Sequence, residues 1–530
     1  LVLFVNGIPL VVIEAKAASL IGDVWKARAV RQLQRYQGPR GAPELFDYNL
    51  ACVGISGASA AFGSVGAPEK SYSPWRLEPS AAEGVRQRLG VEPRGQAELI
   101  AGMLEPATLM DIMRDFVVFE PEGGKLVKKL PRYQQYRAVS CAMERLLGEQ
   151  DPEARGGVIW HTQGSGKSLT MLWLATKLRR EPKLDNPTIV IVTDRAQLDR
   201  QISETFRRCG FPSPERATRS RPTDRQVLSA ARRARQQTDL QTLLRQAVGR
   251  TVMTTIQKFE EALETPTASL DVLNPASNLV VIVDEAHRTQ YGRVAAKMRK
   301  ALPNAAFIGF TGTPIDKGFR STMGRFGTLI DQYGIRQSVA DEATVPIYYE
   351  ARLPELQIIG AESVDRLFDR VFANESPEVR ERIHRRFATA DQLAESEQRI
   401  QEIAGDIVEH HGKRFRQNGF KAQVVVTSRI AAVRYAKWLS RFGVEAYPVI
   451  TTTADDDAEI TTALDELPTR AEVESRFKDP TDQSVQMLVV VDMLLTGFDA
   501  PVEQVMYLDR NLREHSLLQA IARVNRPCTI

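Results

Sequence analysis

The chain has 530 residues, enough for several domains, and its 43% apolar and 26% charged content matches a soluble globular protein. No run of about 18 apolar residues occurs, which argues against a helical membrane span, and a net charge of +4 is too slight to argue nucleic-acid binding by itself. The cysteines (Cys52, Cys141, Cys209, Cys528) form no disulfide or metal-ligand spacing, so a reducing, cytoplasmic setting is expected.

In chain order, Leu1–Val5 and Ile8–Ile13 are apolar runs around Asn6-Gly7, the signature of a hairpin. The second run delivers Glu14-Ala15-Lys16, and alternation along a strand puts Glu14 and Lys16 on one face. Glu14 can bind a hard divalent ion and Lys16 can orient a water beside it. The same pattern also arises by chance, and no acidic residue in Leu1–Val5 supplies a second ligand. Gln32 and Tyr36 are spaced i, i+4 on a helix expected from near Trp25, so they share a face. A Gly/Pro/Ser-rich stretch, Gly63–Ser80, closes this region.

Gly157-Val158-Ile159-Trp160, His161-Thr-Gln-Gly-Ser-Gly-Lys-Ser168 and the amphipathic stretch Leu169–Leu178 read as strand, turn and helix. Such a turn aims backbone N–H groups and a helix N-terminus at one point, where phosphate oxygens can sit. Gly164, Ser165 and Gly166 would cradle phosphates, Lys167 would reach the β- and γ-phosphates, and the Ser168 hydroxyl would ligate Mg²⁺. His161 stands where the usual pattern has glycine. Arginines recur between Arg207 and Arg250, as a phosphate-contacting surface or as a solvated helical face; both readings stay open. Leu279–Val283 then reads as a buried parallel strand ending in Asp284-Glu285-Ala286-His287. Asp284 is suited to the Mg²⁺ water shell, Glu285 to polarising the attacking water, and His287 to coupling the nucleotide site outward.

In the second half, Val424–Val426 followed by Thr427-Ser428-Arg429 reads as strand and turn. Met487–Val491 is another buried strand, leading to Asp492 and Thr496-Gly497-Phe498-Asp499. The last helix carries Gln519, Arg523 and Arg526 on one face. Guanidinium groups there would neutralise charge on a transferring γ-phosphoryl group, if a second lobe closes on the first. Taken alone, they read first as an exposed basic face, as charge runs usually are. Both ends of the sequence read as cut, which suggests a fragment of a longer protein.

Taken together, these motifs resemble the restriction (motor-nuclease) subunit of Type I restriction–modification enzymes, over nearly the whole chain. The resemblance implies that Glu14 and Lys16 are the second half of a PD-(D/E)xK nuclease site, with Gln32 and Tyr36 as its accessory pair. The family's first catalytic Asp would fall just upstream of Leu1, so the chain as given is not expected to cut efficiently. Arg132-Tyr133-Gln134-Gln135 resembles an adenine-recognition element, with Gln135 facing the base, and His161 becomes a family trait. Thr193-Asp194-Arg195 and Thr254-Thr255-Ile256-Gln257-Lys258-Phe259 resemble DNA-contacting motifs of superfamily 2 helicases. Thr311-Gly312-Thr313-Pro314 resembles the motif linking hydrolysis to movement. Thr427, Thr496, Asp499 and Gln519 fall in the second lobe's motifs, Asp499 among those that bind nucleotide, and Arg523 and Arg526 become arginine fingers. Ala522 departs from the family's usual glycine.

The expected fold is α/β: a truncated PD-(D/E)xK nuclease domain over residues 1–95, then two RecA-like parallel-sheet lobes. The lobes span 100–325 and 345–530, with a helical insertion near 375–415. The expected function is ATP- and Mg²⁺-dependent translocation of double-stranded DNA, with cleavage of unmodified foreign DNA away from the recognition site. The expected partners are modification (methyltransferase) and specificity subunits. The rivals are a stand-alone DNA-repair helicase–nuclease and a DNA-dependent ATPase whose nuclease domain is inactive.

Overall fold

A computed structural model describes residues 1–20, 22, 24–122, 124–193, 196–210, 215–216, 240–245, 249–263, 272–286, 290–312, 322–352, 395–452, 457–465, 467–495, 498, 500–512 and 514–528. The chain divides into two compact units, Leu1–Glu342 and Ala343–Ile530.

The first unit opens with the hairpin: β1 (Val2–Val5) pairs antiparallel with β2 (Ile8–Lys16). Asn6 and Gly7 both take positive φ, 51° and 78°, as a tight primed turn requires. β3 (Ala51–Ser56) joins β2 in parallel and β4 (Ser59–Gly63) closes the sheet antiparallel, in the order β1-β2-β3-β4. Helix α1 (Val24–Gln37) packs on this sheet through Trp25, Ala29, Val30 and Leu33. A small hairpin, β5 (Val118–Glu122) and β6 (Lys125–Lys129), leads to helix α2 (Tyr133–Gly148).

A seven-stranded sheet follows, with its described pairings all parallel. It comprises β7 (Gly157–His161), β8 (Thr188–Thr193), β9 (Glu215–Arg216), β10 (Thr251–Thr255), β11 (Leu279–Asp284), β12 (Ala306–Thr311) and β13 (Leu329–Tyr333). The order is β13-β7-β12-β11-β8-β10-β9. Every residue of β8, β10, β11 and β12 is buried, as in central parallel strands covered on both faces. At roughly 1.5–3 kcal/mol for each large apolar side chain buried, these central strands anchor the unit.

The small mixed sheet and the large parallel sheet share one core. A line of aromatic contacts runs from Phe62 on β4 through Trp75, Tyr136 on α2 and Phe116 to Trp173. Trp173 lies on helix α3 (Lys167–Arg180), directly after the glycine-rich turn. Leu10, Val53 and Phe62 belong to the same buried cluster as Ile159, Leu174 and Ile282.

The second unit holds a four-stranded parallel sheet: β14 (Lys421–Val425), β15 (Ala446–Val449), β16 (Met487–Val490) and β17 (Glu503–Leu508), in the order β15-β16-β14-β17. Helix α4 (Glu397–Arg414) lies within the stretch read as a helical insertion; residues 353–394 lie outside the described residues. Its Ile400, Ala404 and Ile407 join the core with Tyr435 of helix α5 (Arg429–Arg441). Ser428 caps α5 by accepting from the Ala431 N–H at 3.2 Å. Helix α6 (Glu514–Val524) ends the unit. Among the described residues no helix is long and apolar enough to cross a membrane.

Candidate functional site

The glycine-rich turn lies where strand β7 gives way to helix α3. Gly166 adopts φ 85°, ψ 34° just before the helix, a left-handed conformation that costs a residue with a Cβ about 1–2 kcal/mol. A Cβ on Gly166 would lie 2.4 Å from the Nε2 of Gln135, so any other residue would displace that amide as well as strain the backbone. Gln135 donates from Nε2 to the carbonyls of Ser165 and Gly166, each at 3.2 Å, and its Oε1 accepts from the Arg132 N–H at 2.9 Å. The expected adenine-recognition residue is therefore also a clamp on the phosphate loop. Lys167 donates to the His161 carbonyl at 3.3 Å, which holds its ammonium back over its own loop. The hydroxyl of Ser165 is buried with no hydrogen-bond partner among the described residues. That orphaned donor, the N–H groups of the first helical turn and the cradle a Cβ would fill together fit a triphosphate.

Asp284 ends β11, two strands from β7, and is buried. Glu285 follows with φ 51°, rare for a non-glycine residue. The Ala286 N–H donating to the Phe310 carbonyl at 3.0 Å pins the chain on the far side of that turn. Backbone strain of this kind, about 1–3 kcal/mol, accumulates where a side chain must be aimed. Ser168 and Asp284 are the residues suited by chemistry to hold Mg²⁺. Thr311 is buried at the end of β12, and the Gly312 carbonyl accepts from the Trp160 indole N–H at 3.2 Å. A Cβ on Gly312 would lie 3.0 Å from the Cγ of Gln163, so this motif packs directly on the phosphate loop.

Other expected residues are placed differently. Thr193 and Thr254 are buried where β8 and β10 end side by side, and the Thr193 hydroxyl donates to the Thr254 carbonyl at 3.5 Å. Expected as DNA contacts, both residues stand at the C-terminal ends of adjacent parallel strands, with the Thr254 hydroxyl donating to the Thr255 carbonyl at 3.3 Å. Arg195, His287, Thr313, Thr496 and Asp499 lie outside the described residues.

On the mixed sheet, Lys16 donates to Glu14 at 2.7 Å and Tyr36 donates to the other carboxylate oxygen at 3.2 Å. Gln32, one turn before Tyr36 on α1, accepts from Arg35 at 3.4 Å. No group of three or more metal-ligating His, Cys, Asp or Glu side chains occurs among the described residues. The residues present therefore do not fit a complete divalent-metal site, and no cleavage step is derived from them.

In the second unit, Arg523 is 5% exposed and donates to the Phe498 carbonyl. Burial pushes the neighbouring Glu503 carboxyl up to about 8, with the Arg523 charge opposing it. Arg526 is half-buried and held below the usual guanidinium value by that burial. Gln519 is buried on α6 with Arg523, whereas Arg526, expected on the same helix face, lies beyond the helix end at Val524; the Thr427 hydroxyl is buried after β14 with no hydrogen-bond partner among the described residues.

Sequence reasoning missed the polar frame behind the loop. His161 is fully buried, and its Nε2 meets Asp331 Oδ2 at 2.6 Å; Arg137 donates to Asp331 Oδ1 at 2.6 Å. Complete burial holds His161 below the ordinary imidazole value, with the Asp331 hydrogen bond and charge opposing that shift. Burial alone would raise the Asp331 carboxyl, but the His161 hydrogen bond and the Arg137 charge outweigh it and keep it ionised. Nearby, Asp341 accepts from Tyr133 at 2.7 Å, Tyr333 at 3.2 Å and Arg76 at 3.3 Å, tying α2 and β13 to the stretch that follows β4. The available signal was the histidine in a glycine position, since a buried imidazole needs a partner.

Comparison with known proteins fits this layout. Residues 1–71 match the family described as Type I restriction enzyme R protein N terminus, 134–381 the SWI2/SNF2 ATPase family, and 456–529 Type I restriction enzyme subunit R domain 3. The Type I restriction enzyme HindI endonuclease subunit of Haemophilus influenzae is 36% identical over 556 residues, covering 99% of this chain and 49% of that protein. The chain belongs to the Type I restriction enzyme R-subunit family. A member from Methanocaldococcus jannaschii, assigned as the MjaIXP endonuclease subunit, is 32% identical over 99% of this chain and 50% of its own length. The chain thus spans about half the length of the curated relatives it matches. A solved fragment assigned as the HsdR subunit of a type I restriction enzyme from Vibrio vulnificus YJ016 shares the fold, with a TM-score of 0.50. It is 14% identical, with 88% of this chain and 80% of that one covered.

Proposed function

We propose that this R-subunit chain is an ATP-driven double-stranded DNA translocase carrying part of a restriction nuclease. It would work with modification and specificity subunits that choose the site. The observation that carries the reading is the cradle at Gly166, clamped by Gln135 and followed by Lys167 and Ser168, in one sheet with the Asp284-Glu285 strand end.

In this reading the first-turn N–H groups and Lys167 bind the triphosphate, Lys167 exchanging its loop carbonyl for phosphate oxygens. Ser168 and Asp284 would hold Mg²⁺, which when bound would neutralise charge between the β- and γ-phosphates. Glu285 orients the attacking water through its carboxylate. Arg523 and Arg526 are the proposed source of positive charge for the transferring phosphoryl group, which requires Arg523 to exchange its Phe498 carbonyl for the nucleotide. Glu14, Lys16 and Tyr36 are proposed as the share of the nuclease site that this chain carries.

The deciding experiment measures ATP hydrolysis with and without linear duplex DNA. DNA-stimulated turnover should vanish in Lys167→Ala and persist in Glu14→Ala, whose defect should be confined to DNA cutting in the assembled restriction complex. Equal hydrolysis by wild type and Lys167→Ala would end the motor reading.

A further inference from the structure

The most informative group that the proposed chemistry leaves unused is the carboxylate of Asp331. It lies on the edge strand of the large sheet, outside every motif, yet is buried and held at 2.6 Å by both His161 and Arg137. His161 is the first residue of the phosphate loop and Arg137 lies two residues beyond Gln135 on α2. The two residues of α2 therefore reach opposite ends of one loop. Gln135 grips it directly at Ser165 and Gly166; Arg137 reaches its base through Asp331 and His161.

This juxtaposition depends on an irregularity. β13 runs parallel to β7 with Leu329 opposite Val158 but Asp331 opposite Ile159, so one extra residue, Ile330, is inserted. Side chains alternate along a strand, so a residue opposite position 159 shares the face of 161. In unbroken register Asp331 would stand opposite Trp160, and its carboxylate would point away from His161. Bulges serve to re-aim single side chains in this way. The Tyr333 carbonyl accepts from the Thr162 N–H at 2.9 Å, so the same strand also ties the next loop residue.

The geometry points to Asp331 as a positioning residue for nucleotide binding: aimed by the bulge at Ile330, it fixes the His161 ring and so links the base of the phosphate loop to the helix that carries Gln135. Where the usual loop has glycine at this position there is no ring to hold. The inference rests on the nucleotide-binding reading above.

The test is a double-substitution cycle on the whole chain, read as MgATP affinity by titration and as KM and kcat for DNA-stimulated hydrolysis, with folding checked by thermal melting. Asp331→Ala should weaken nucleotide binding about 10- to 100-fold, the range for partners that orient binding groups, with kcat changed far less. In a His161→Gly background the same substitution should cost under about threefold, because the ring it steadies is gone. If Asp331→Ala does not fold, the pair Asp331→Ala with Arg137→Gln replaces it and removes the stranded guanidinium, with the same measurements and the same expected fold-changes. Binding within about twofold of wild type, or an equal penalty with and without His161, would overturn the inference. A wild-type chain that binds no MgATP would instead overturn the nucleotide reading itself.

Discussion

Replacing Gly166 by alanine tests whether the clamp geometry, rather than glycine's flexibility alone, shapes the phosphate loop. Alanine at φ 85° costs about 1–2 kcal/mol in backbone strain. Its Cβ would lie 2.4 Å from Gln135 Nε2, and the amide would have to leave. That forfeits two hydrogen bonds to the loop, at about 0.5–1.5 kcal/mol each. The combined penalty is about 2–5 kcal/mol, and if it falls wholly on the binding-competent loop, MgATP affinity drops roughly 30-fold to several thousandfold. Gln135→Ala alone should cost only the hydrogen-bond share. In its background the collision vanishes, so Gly166→Ala should then cost only about 1–2 kcal/mol. Calorimetric titration of the four proteins checks this. A Gly166→Ala penalty that is the same with and without the Gln135 side chain would refute the clamp.

Glu285→Gly should release the left-handed strain and stabilise the first unit by up to about 1 kcal/mol while abolishing turnover; denaturant melts beside an ATPase assay read both. Glu503 has a folded-state value of about 8, above its unfolded value. Its contribution to stability is therefore complete below about pH 4.5 and is lost as pH rises toward 8, by on the order of 5 kcal/mol at most. Glu503→Gln should thus gain stability relative to wild type as pH rises from 5 to 8, and parallel melting curves across that window would contradict the assignment. Trp75→Ala should destabilise the first unit by about 3–5 kcal/mol, since the ring is 4% exposed and touches both Phe62 and Tyr136; urea unfolding measures it.

The parts of this molecule legible from sequence are those whose signal is local. The Asn6-Gly7 turn, the apolar run Leu279–Val283 and the Gly-Ser-Gly-Lys-Ser turn each specify their own backbone, and each lies where its pattern predicts. Glu14 and Lys16 share a face because strand alternation leaves no choice, and Tyr36 reaches them because α1 packs on that sheet. What escaped was non-local. Asp331 means little in its own strand, and its pairing with His161 depends on an inserted residue that periodicity cannot reveal. Motif spelling also carries no information on exposure: Thr193, Thr254 and Arg523 were chosen for what they could touch, and all three are buried.

The aromatic line from Phe62 to Trp173 has a consequence for how such proteins can be engineered or diversify. Two sheets joined by a flexible tether can be exchanged like cassettes, but here Tyr136 and Phe116 form a seam with rings on both sides. Grafting a foreign mixed sheet onto this parallel one would require re-cutting that seam, so the two should drift together in evolution, with substitutions at Trp75 answered by changes at Tyr136.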